Sequence, residues 1–218
     1  MPLLELNDAA ASYNGKVVLR GVSLRIERGE CVALVGSSGS GKTTLLNMLY
    51  AQQHAEAALV PQDLGLVVTL SVFHNVFIGR LNRNPTWYNV ANLVRPFGKE
   101  LVAVEEVLES LGMAAKILTP VAELSGGQQQ RTAVSRALYQ DASIFLGDEP
   151  VSAVDEHQSR TVLDNIVGKY QTAVLAMHDV PLAIEYVDRL IGMRQGEIVL
   201  DELAAGMTST DLDALYKS

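Results

Sequence analysis

The 218 residues make one to one-and-a-half ordinary domains, enough to bury a core without disulfide help. With 48% hydrophobic and 19% charged residues the chain is neither disordered nor low in complexity. Its 25 acidic residues outnumber 17 basic ones without any basic run, which argues against a grip on a DNA or RNA backbone, and one cysteine excludes an internal disulfide and a cysteine-based zinc site.

In chain order, residues 1 to about 62 carry short β-type runs. Val17-Val18-Leu19 precedes Gly21, and Val22 to Ile26 alternates. Arg28-Gly29-Glu30 is a turn before Cys31-Val32-Ala33-Leu34-Val35, an apolar run that reads as a strand buried on both faces. From about 63 to 122 the pattern is helical. Thr86 is placed to cap a helix whose apolar residues Trp87, Val90, Ala91 and Val94 form one stripe, closed by Pro96 and Gly98. A second helix runs through Val104, Val107, Leu108 and Leu111 and stops at Gly112. After about 123 strand and helix alternate again. Ser143–Leu146 and Ala173–Met177 are buried-strand candidates, and Leu190–Met193 with Glu197–Leu200 form a hairpin about Arg194-Gln195-Gly196. The reading is one domain over 1–218: an α/β core (1–62 and 123–218) interrupted by a helical subdomain (63–122). The start, Met1 to Ala10, has no basic region followed by an apolar stretch and so shows no secretory pattern, and no apolar run nears the roughly 20 residues that span a bilayer. A soluble, cytosolic chain is expected, and its mean hydropathy of +0.16 hints at a partner surface.

Gly36-Ser37-Ser38-Gly39-Ser40-Gly41-Lys42-Thr43 fits G-x-x-x-x-G-K-[ST] between a buried strand and the apolar helix that includes Leu45, Leu46 and Leu49. The chemistry requires this composition. Glycines let backbone N–H groups curl around a β-phosphate, and the helix N-terminus adds its positive end. Lys42 reaches the β- and γ-phosphates and Thr43 offers a hydroxyl to Mg²⁺. The bland alternative is a Gly/Ser-rich turn, but the pattern arises by chance in about one such chain in a hundred, and its flanks reduce that further. Downstream, Ile144-Phe145-Leu146 runs into Gly147-Asp148-Glu149. Neighbours at a strand end point opposite ways, so Asp148 suits a Mg²⁺ shell and Glu149 the polarising of an attacking water. Without the phosphate loop the pair would read as a solvated strand end.

Leu124-Ser125-Gly126-Gly127-Gln128-Gln129-Gln130-Arg131 stands before a helix, about twenty residues ahead of the acidic pair. It resembles the LSGGQ signature of ABC-type ATPases, and the resemblance covers essentially the whole chain with its motifs in the family's order. The resemblance implies a P-loop NTPase core with an inserted helical subdomain, ATP and Mg²⁺ as ligands, and ATP hydrolysis. It implies nucleotide binding by Gly36 to Thr43, Thr44 and the signature residues Ser125, Gly126, Gly127 and Gln128, with Tyr13 stacked on adenine. Thr43, Gln62 and Asp148 would serve the metal. Glu149, which begins the run Glu149-Pro150-Val151-Ser152-Ala153-Val154-Asp155, would be the catalytic glutamate, with Gln62 and the switch histidine His178 beside the γ-phosphate. Taken singly, Tyr13 reads more as packing than as a ligand, His178 more as an ordinary strand-end histidine, Ser125 as a helix cap, and Gln62 says nothing. Cys31 reads as core, and His54, His74 and His157 have no ligand spacing.

A signature serine at a helix N-terminus is itself an anion site. The resemblance implies that two chains pack head to tail, each giving its signature to the nucleotide held by the other's Lys42, so that hydrolysis releases a symmetric dimer. It further implies a separate membrane permease, with a substrate-binding protein reached through it, and a place on the cytoplasmic face of the membrane. Leu70, Val72, Phe73, Val76 and Phe77 are the residues expected to line the docking surface.

Only about eighteen residues part Thr44 from Gln62, about half the family's usual length, so a trimmed antiparallel β-subdomain is expected. The run Asn75 to Leu81, Thr86-Trp87 and the ending Ala214-Leu215-Tyr216 are similar to the ATP-binding subunits of phosphonate-type importers. Export or lipoprotein-release systems and non-transport ABC ATPases stay open as alternatives. A small-molecule kinase has no use for the signature, a GTPase needs an Asn-Lys pair that is missing, and no sustained heptads suggest a chromosome-organising member.

Overall fold

The computed structural model describes residues 2–13 and 15–212. In chain order the elements are β1 (Leu4–Tyr13), β2 (Lys16–Ile26), β3 (Cys31–Val35), α1 (Lys42–Gln53), β4 (Ala57–Val60), α2 (Val72–Phe77), α3 (Thr86–Val94), α4 (Gly98–Ser110), α5 (Gly126–Tyr139), β5 (Ile144–Asp148), α6 (Glu156–Lys169), β6 (Thr172–Ala176), α7 (Val180–Tyr186), β7 (Arg189–Arg194) and β8 (Glu197–Leu203). They divide into two compact units, one of residues 1–62, 143–150 and 170–218, the other of 63–142 and 151–169. The ending Ala214-Leu215-Tyr216, part of the importer resemblance, lies outside the described residues.

The first unit is built on a six-stranded sheet ordered β4-β5-β6-β3-β7-β8. Its first five strands are parallel and β8 is antiparallel to β7. The middle strands read as unbroken apolar runs because both faces are covered: Val32, Leu34, Ile144, Leu146, Val174 and Ala176 lie in one core with Leu45, Leu46 and Leu49 of α1, and the alternate residues Ala33, Val35, Phe145, Ala173 and Leu175 are buried as well. Parallel pairing brings the C-terminal ends of β4, β5, β6 and β3 to one edge, where ligands of open α/β sheets bind.

The two runs expected around Gly21 are a single strand, β2, paired with β1 in a separate two-stranded sheet. The pairing absorbs Gly21 in a register shift, a β-bulge where the chain twists without ending. Residues 44–62 add no antiparallel strand. They supply α1 and then β4, which pairs parallel to β5 at the sheet edge, so the antiparallel β-subdomain is short.

The second unit is helical. Val104, Leu108, Val121, Val134, Val162, Leu163 and Ile166 fill its interior. Glu100 is buried among them and accepts from Tyr88 Oη (2.7 Å) and Tyr139 Oη (2.6 Å), so its charge is solvated by two hydroxyls.

Two sequence expectations are corrected here. The apolar stripe of α3 faces outward: Trp87 is 69% and Val94 82% exposed. Thr86 makes no cap, because Pro85 occupies the N-cap position. The inward residue is Asn92, whose Oδ1 accepts the Phe97 N–H and whose Nδ2 donates to the Tyr88 carbonyl. Periodicity marks an apolar face but not what covers it. Conversely, Phe73 and Phe77 of the expected docking segment are 0% and 3% exposed, and Val72 and Val76 are buried with them. The rings of Phe73 and Phe77 stack on each other; Val72, Phe73 and Val76 are core, while Leu70 and the edge of Phe77 line a surface groove.

Candidate functional site

The site begins where β3 ends. Gly36 follows Val35 with φ +146°, and a Cβ there would lie 2.2 Å from the Met193 carbonyl oxygen, so the loop can leave the strand only through a glycine. The first-turn N–H groups of α1 have no intrahelical acceptor and no acidic side chain competes for them. Lys42 is buried and donates from Nζ to the Gly36 (2.7 Å) and Ser37 (3.2 Å) carbonyls. Burial pulls its pKa below the usual lysine value, opposed by the carboxylates of Glu149 and Asp148.

Asp148 ends β5 and is 3% exposed. Its Oδ2 is buried without a hydrogen-bond partner. Burial raises its pKa, while a hydrogen bond from Thr43 and the Lys42 charge act the other way. Glu149 follows with φ +55°, a left-handed conformation that opposes a side chain by about 1–2 kcal/mol. The turn is held by the Glu149 N–H donating to the Ala176 carbonyl (3.0 Å). It also aims Glu149 Oε1 at His178 Nε2, 2.7 Å away. His178 stands two residues beyond β6, next to β5, so the sheet order itself makes the pair.

Lys42, Thr43, Thr44, Gln62, Glu149 and His178 line one cleft of about 300 Å³ with Ser38, Gly39, Gly41 and Val18. Tyr13, at the end of β1, is 57% exposed and is not among the lining residues. The donor chemistry suits a hard divalent cation: a threonine hydroxyl, an amide and a carboxylate oxygen lacking a partner. Among the described residues no three His, Cys, Asp or Glu cluster, so such an ion would complete its shell with phosphate and water.

The signature belongs to the second unit. Ser125 is the N-cap of α5 and forms a full capping box: its Oγ accepts the Gln128 N–H and its own N–H donates to Gln128 Oε1. Gly126 is exposed. A Cβ on Gly127 would sit 2.7 Å from the Ala153 carbonyl oxygen, so this glycine admits the segment after Pro150. That segment is held by Gln130, whose Oε1 accepts the Ala153 N–H (2.7 Å) and whose Nε2 donates to Ser152 Oγ (3.3 Å). Sequence reasoning passed over Gln130. Its signal was available, since a polar residue in the inward row with Ala133, Val134 and Ala137 needs a buried partner.

The ABC transporter family model matches residues 19–152, from Leu19 of β2 to Ser152. The chain belongs to the ABC transporter family, as an ATP-binding domain. Tyr13 and His178 lie outside the matched stretch. Among curated relatives, the phosphonates import ATP-binding protein PhnC of Lactobacillus delbrueckii subsp. bulgaricus is 35% identical over 245 residues, covering 99% of this chain and 95% of that protein. The hypophosphite import ATP-binding protein HtxD of Stutzerimonas stutzeri is 34% identical over 98% of this chain and 71% of its own length. Among solved structures, the ATP-binding cassette MJ0796 in a dimeric post-hydrolysis state bound to ADP and Pi matches with a TM-score of 0.81 at 24% identity, over 94% of this chain and all of that one. At that identity the likeness establishes the fold. ABC ATP-binding domains hydrolyse ATP, and this chain is an ATPase of that kind. No helix among the described residues is long and apolar enough to cross a membrane.

Proposed function

We propose that this ATPase is the energising subunit of an importer for a small phosphorus oxyanion, acting on a separate membrane permease as one domain made of both units. The observation that carries the catalytic part is the convergence of Lys42, Thr43, Gln62, Glu149 and His178 on one cleft beside a buried, unpartnered Asp148 oxygen. The substrate class is supported by the phosphonate and hypophosphite import functions named for relatives that match almost all of this chain.

In this reading the backbone N–H groups of Gly36 to Thr44 cradle the phosphates, and Lys42 exchanges the Gly36 and Ser37 carbonyls for phosphate oxygens. Tyr13 is exposed enough to stack on adenine. Thr43, Asp148 and Gln62 would hold Mg²⁺, which supplies neutralisation of phosphate charge when bound. Glu149 positions and deprotonates the attacking water, and His178 holds Glu149 in its left-handed turn and steadies the γ-phosphate. Ser125, Gly126, Gly127 and Gln128 of a second copy close over the same nucleotide, so two ATP molecules join a head-to-tail dimer. The chain then works as a peripheral protein on the cytoplasmic face of the membrane, and a substrate-binding protein is reached through the permease.

Docking is assigned to the exposed side of the helical unit. There a groove of about 270 Å³ is lined by Leu70, Phe77, Ile78, Leu81, Val90 and Leu93, next to the exposed Trp87 and Val94. The fully buried Phe73 has no part in it.

Glu149→Gln tests the core of the reading. The variant keeps shape and removes the base, so at saturating MgATP it is expected to release no phosphate and to elute as a dimer in size exclusion. A variant that stays monomeric, or still turns over, refutes the assignment.

A further inference from the structure

Two consecutive residues just after Gln62 adopt left-handed backbone: Leu64 with φ +61° and Gly65 with φ +53°. For leucine this conformation is opposed by about 1–2 kcal/mol, and its side chain offers no local hydrogen bond in return, so another group must hold it. Arg136 does. Its Nη2 donates to the Leu64 carbonyl (2.7 Å) and its Nη1 to the Gly65 carbonyl (2.6 Å). Successive left-handed residues turn neighbouring carbonyls toward one side, forming a two-pronged acceptor that matches the planar fork of a guanidinium and not the point charge of a lysine. The following stretch is shaped in the same manner. The fully buried Asn75 accepts the Val67 N–H at Oδ1 and donates from Nδ2 to the Val67 and Ser71 carbonyls.

Arg136 lies on the last turns of α5, the helix that Ser125 caps at its start. Eleven residues of rise place the two about 16 Å apart on one rigid element. We propose that Arg136 is a positioning residue for Gln62: its guanidinium holds the Leu64–Gly65 turn and so ties the glutamine loop to the helix carrying the signature. This rests on the roles given above to Gln62 and Ser125. Leu64 is two peptide units from Gln62, within about 7 Å of chain, so a shift of α5 that accompanies nucleotide contact at Ser125 reaches the Gln62 amide. Arg136 therefore governs turnover, while affinity for ATP resides in the phosphate loop.

The test uses the full chain with Arg136→Met, which keeps the stem and removes the fork, and Arg136→Lys. Amide hydrogen exchange is followed for the segments 61–69 and 126–139, together with kcat and KM for MgATP. In Arg136→Met, exchange at 63–66 should rise about tenfold or more with α5 still protected. Its kcat should fall about 10- to 100-fold with KM within about twofold, as for a misplaced but present catalytic group; Arg136→Lys should fall between. Unchanged exchange at 63–66, or a rise in KM with kcat intact, overturns the proposal. If Arg136→Met does not fold, Arg136→Lys decides it: faster loop exchange than in the native chain supports the clamp, equal rates refute it. A native chain without ATPase activity would refute the functional reading, while loop exchange would still decide the clamp.

Discussion

Gly196→Ala probes how the phosphate loop is braced. Gly196 is the second residue of the two-residue turn between β7 and β8. Gln195 and Gly196 have φ +51° and +85°, the pattern of a type I′ hairpin. Its N–H donates to the Ser40 carbonyl (3.0 Å) in the phosphate loop, and its own carbonyl accepts the Arg20 N–H (2.9 Å). A Cβ at Gly196 would lie 2.2 Å from the Val18 carbonyl oxygen and 2.9 Å from the Val18 carbonyl carbon, atoms of β2 that no side-chain rotation moves. The left-handed conformation adds about 1 kcal/mol, and displacing the turn loses two hydrogen bonds at about 1 kcal/mol each. A destabilisation of about 3 kcal/mol follows, lowering Tm by about 6–12 °C for a domain of this size. Because the lost contact holds Ser40, KM for MgATP should rise more than kcat falls. Thermal unfolding followed by circular dichroism, with steady-state phosphate release, measures both. Gln195→Gly provides the opposite sign, since it relieves a strained side chain and should raise Tm slightly. A Gly196→Ala protein within about 2 °C of the native Tm, with unchanged KM, would refute the bracing argument.

Three further outcomes are expected. Asp148→Asn removes a charge whose pKa burial has raised; the folded carboxylate is penalised above its unfolded pKa, so the variant should melt higher than the native chain at pH 7. That gain should vanish as pH falls below the unfolded aspartate pKa, and phosphate release should be lost throughout. The Cys31 thiol is pushed up to about 12 by burial, with the Asp188 and Glu30 carboxylates adding to it. Maleimide labelling at pH 8 should therefore wait for unfolding, and stability should fall between pH 9 and 12 as only the unfolded thiol ionises, with a slope of at most about 1.4 kcal/mol per pH unit. Val90→Asp with Leu93→Asp alters exposed positions of α3. Tm and the basal ATPase of the isolated chain should hold, while co-purification with its permease and stimulation by it should be lost; intact stimulation would refute the docking assignment.

Much of the candidate site was legible because its chemistry is local. A phosphate loop must be glycine-rich where backbone meets phosphate, a signature serine must cap its helix, and a two-residue hairpin must carry residues that tolerate positive φ. Gly36 to Thr43, Ser125 to Gln128 and Arg194-Gln195-Gly196 follow from those needs. Asn75 and Arg136 were not legible in the same way. Their partners are backbone groups, the Val67 N–H and the carbonyls of Val67, Leu64 and Gly65, which side-chain identity does not mark.

By itself, the sequence determined that a nucleotide loop follows β3, that an acidic pair ends β5 and that a signature caps α5. Each needs only a few adjacent residues and one element boundary. Only the tertiary structure decided that the strand order sets β6 next to β5, bringing His178 within 2.7 Å of Glu149. It also decided that Asp148 keeps a buried oxygen without a partner and that Phe73 lies inside while Trp87 lies outside. Apolar spacing gives a face its period, but which face loses its water depends on the elements that pack against it, and those are distant in the chain.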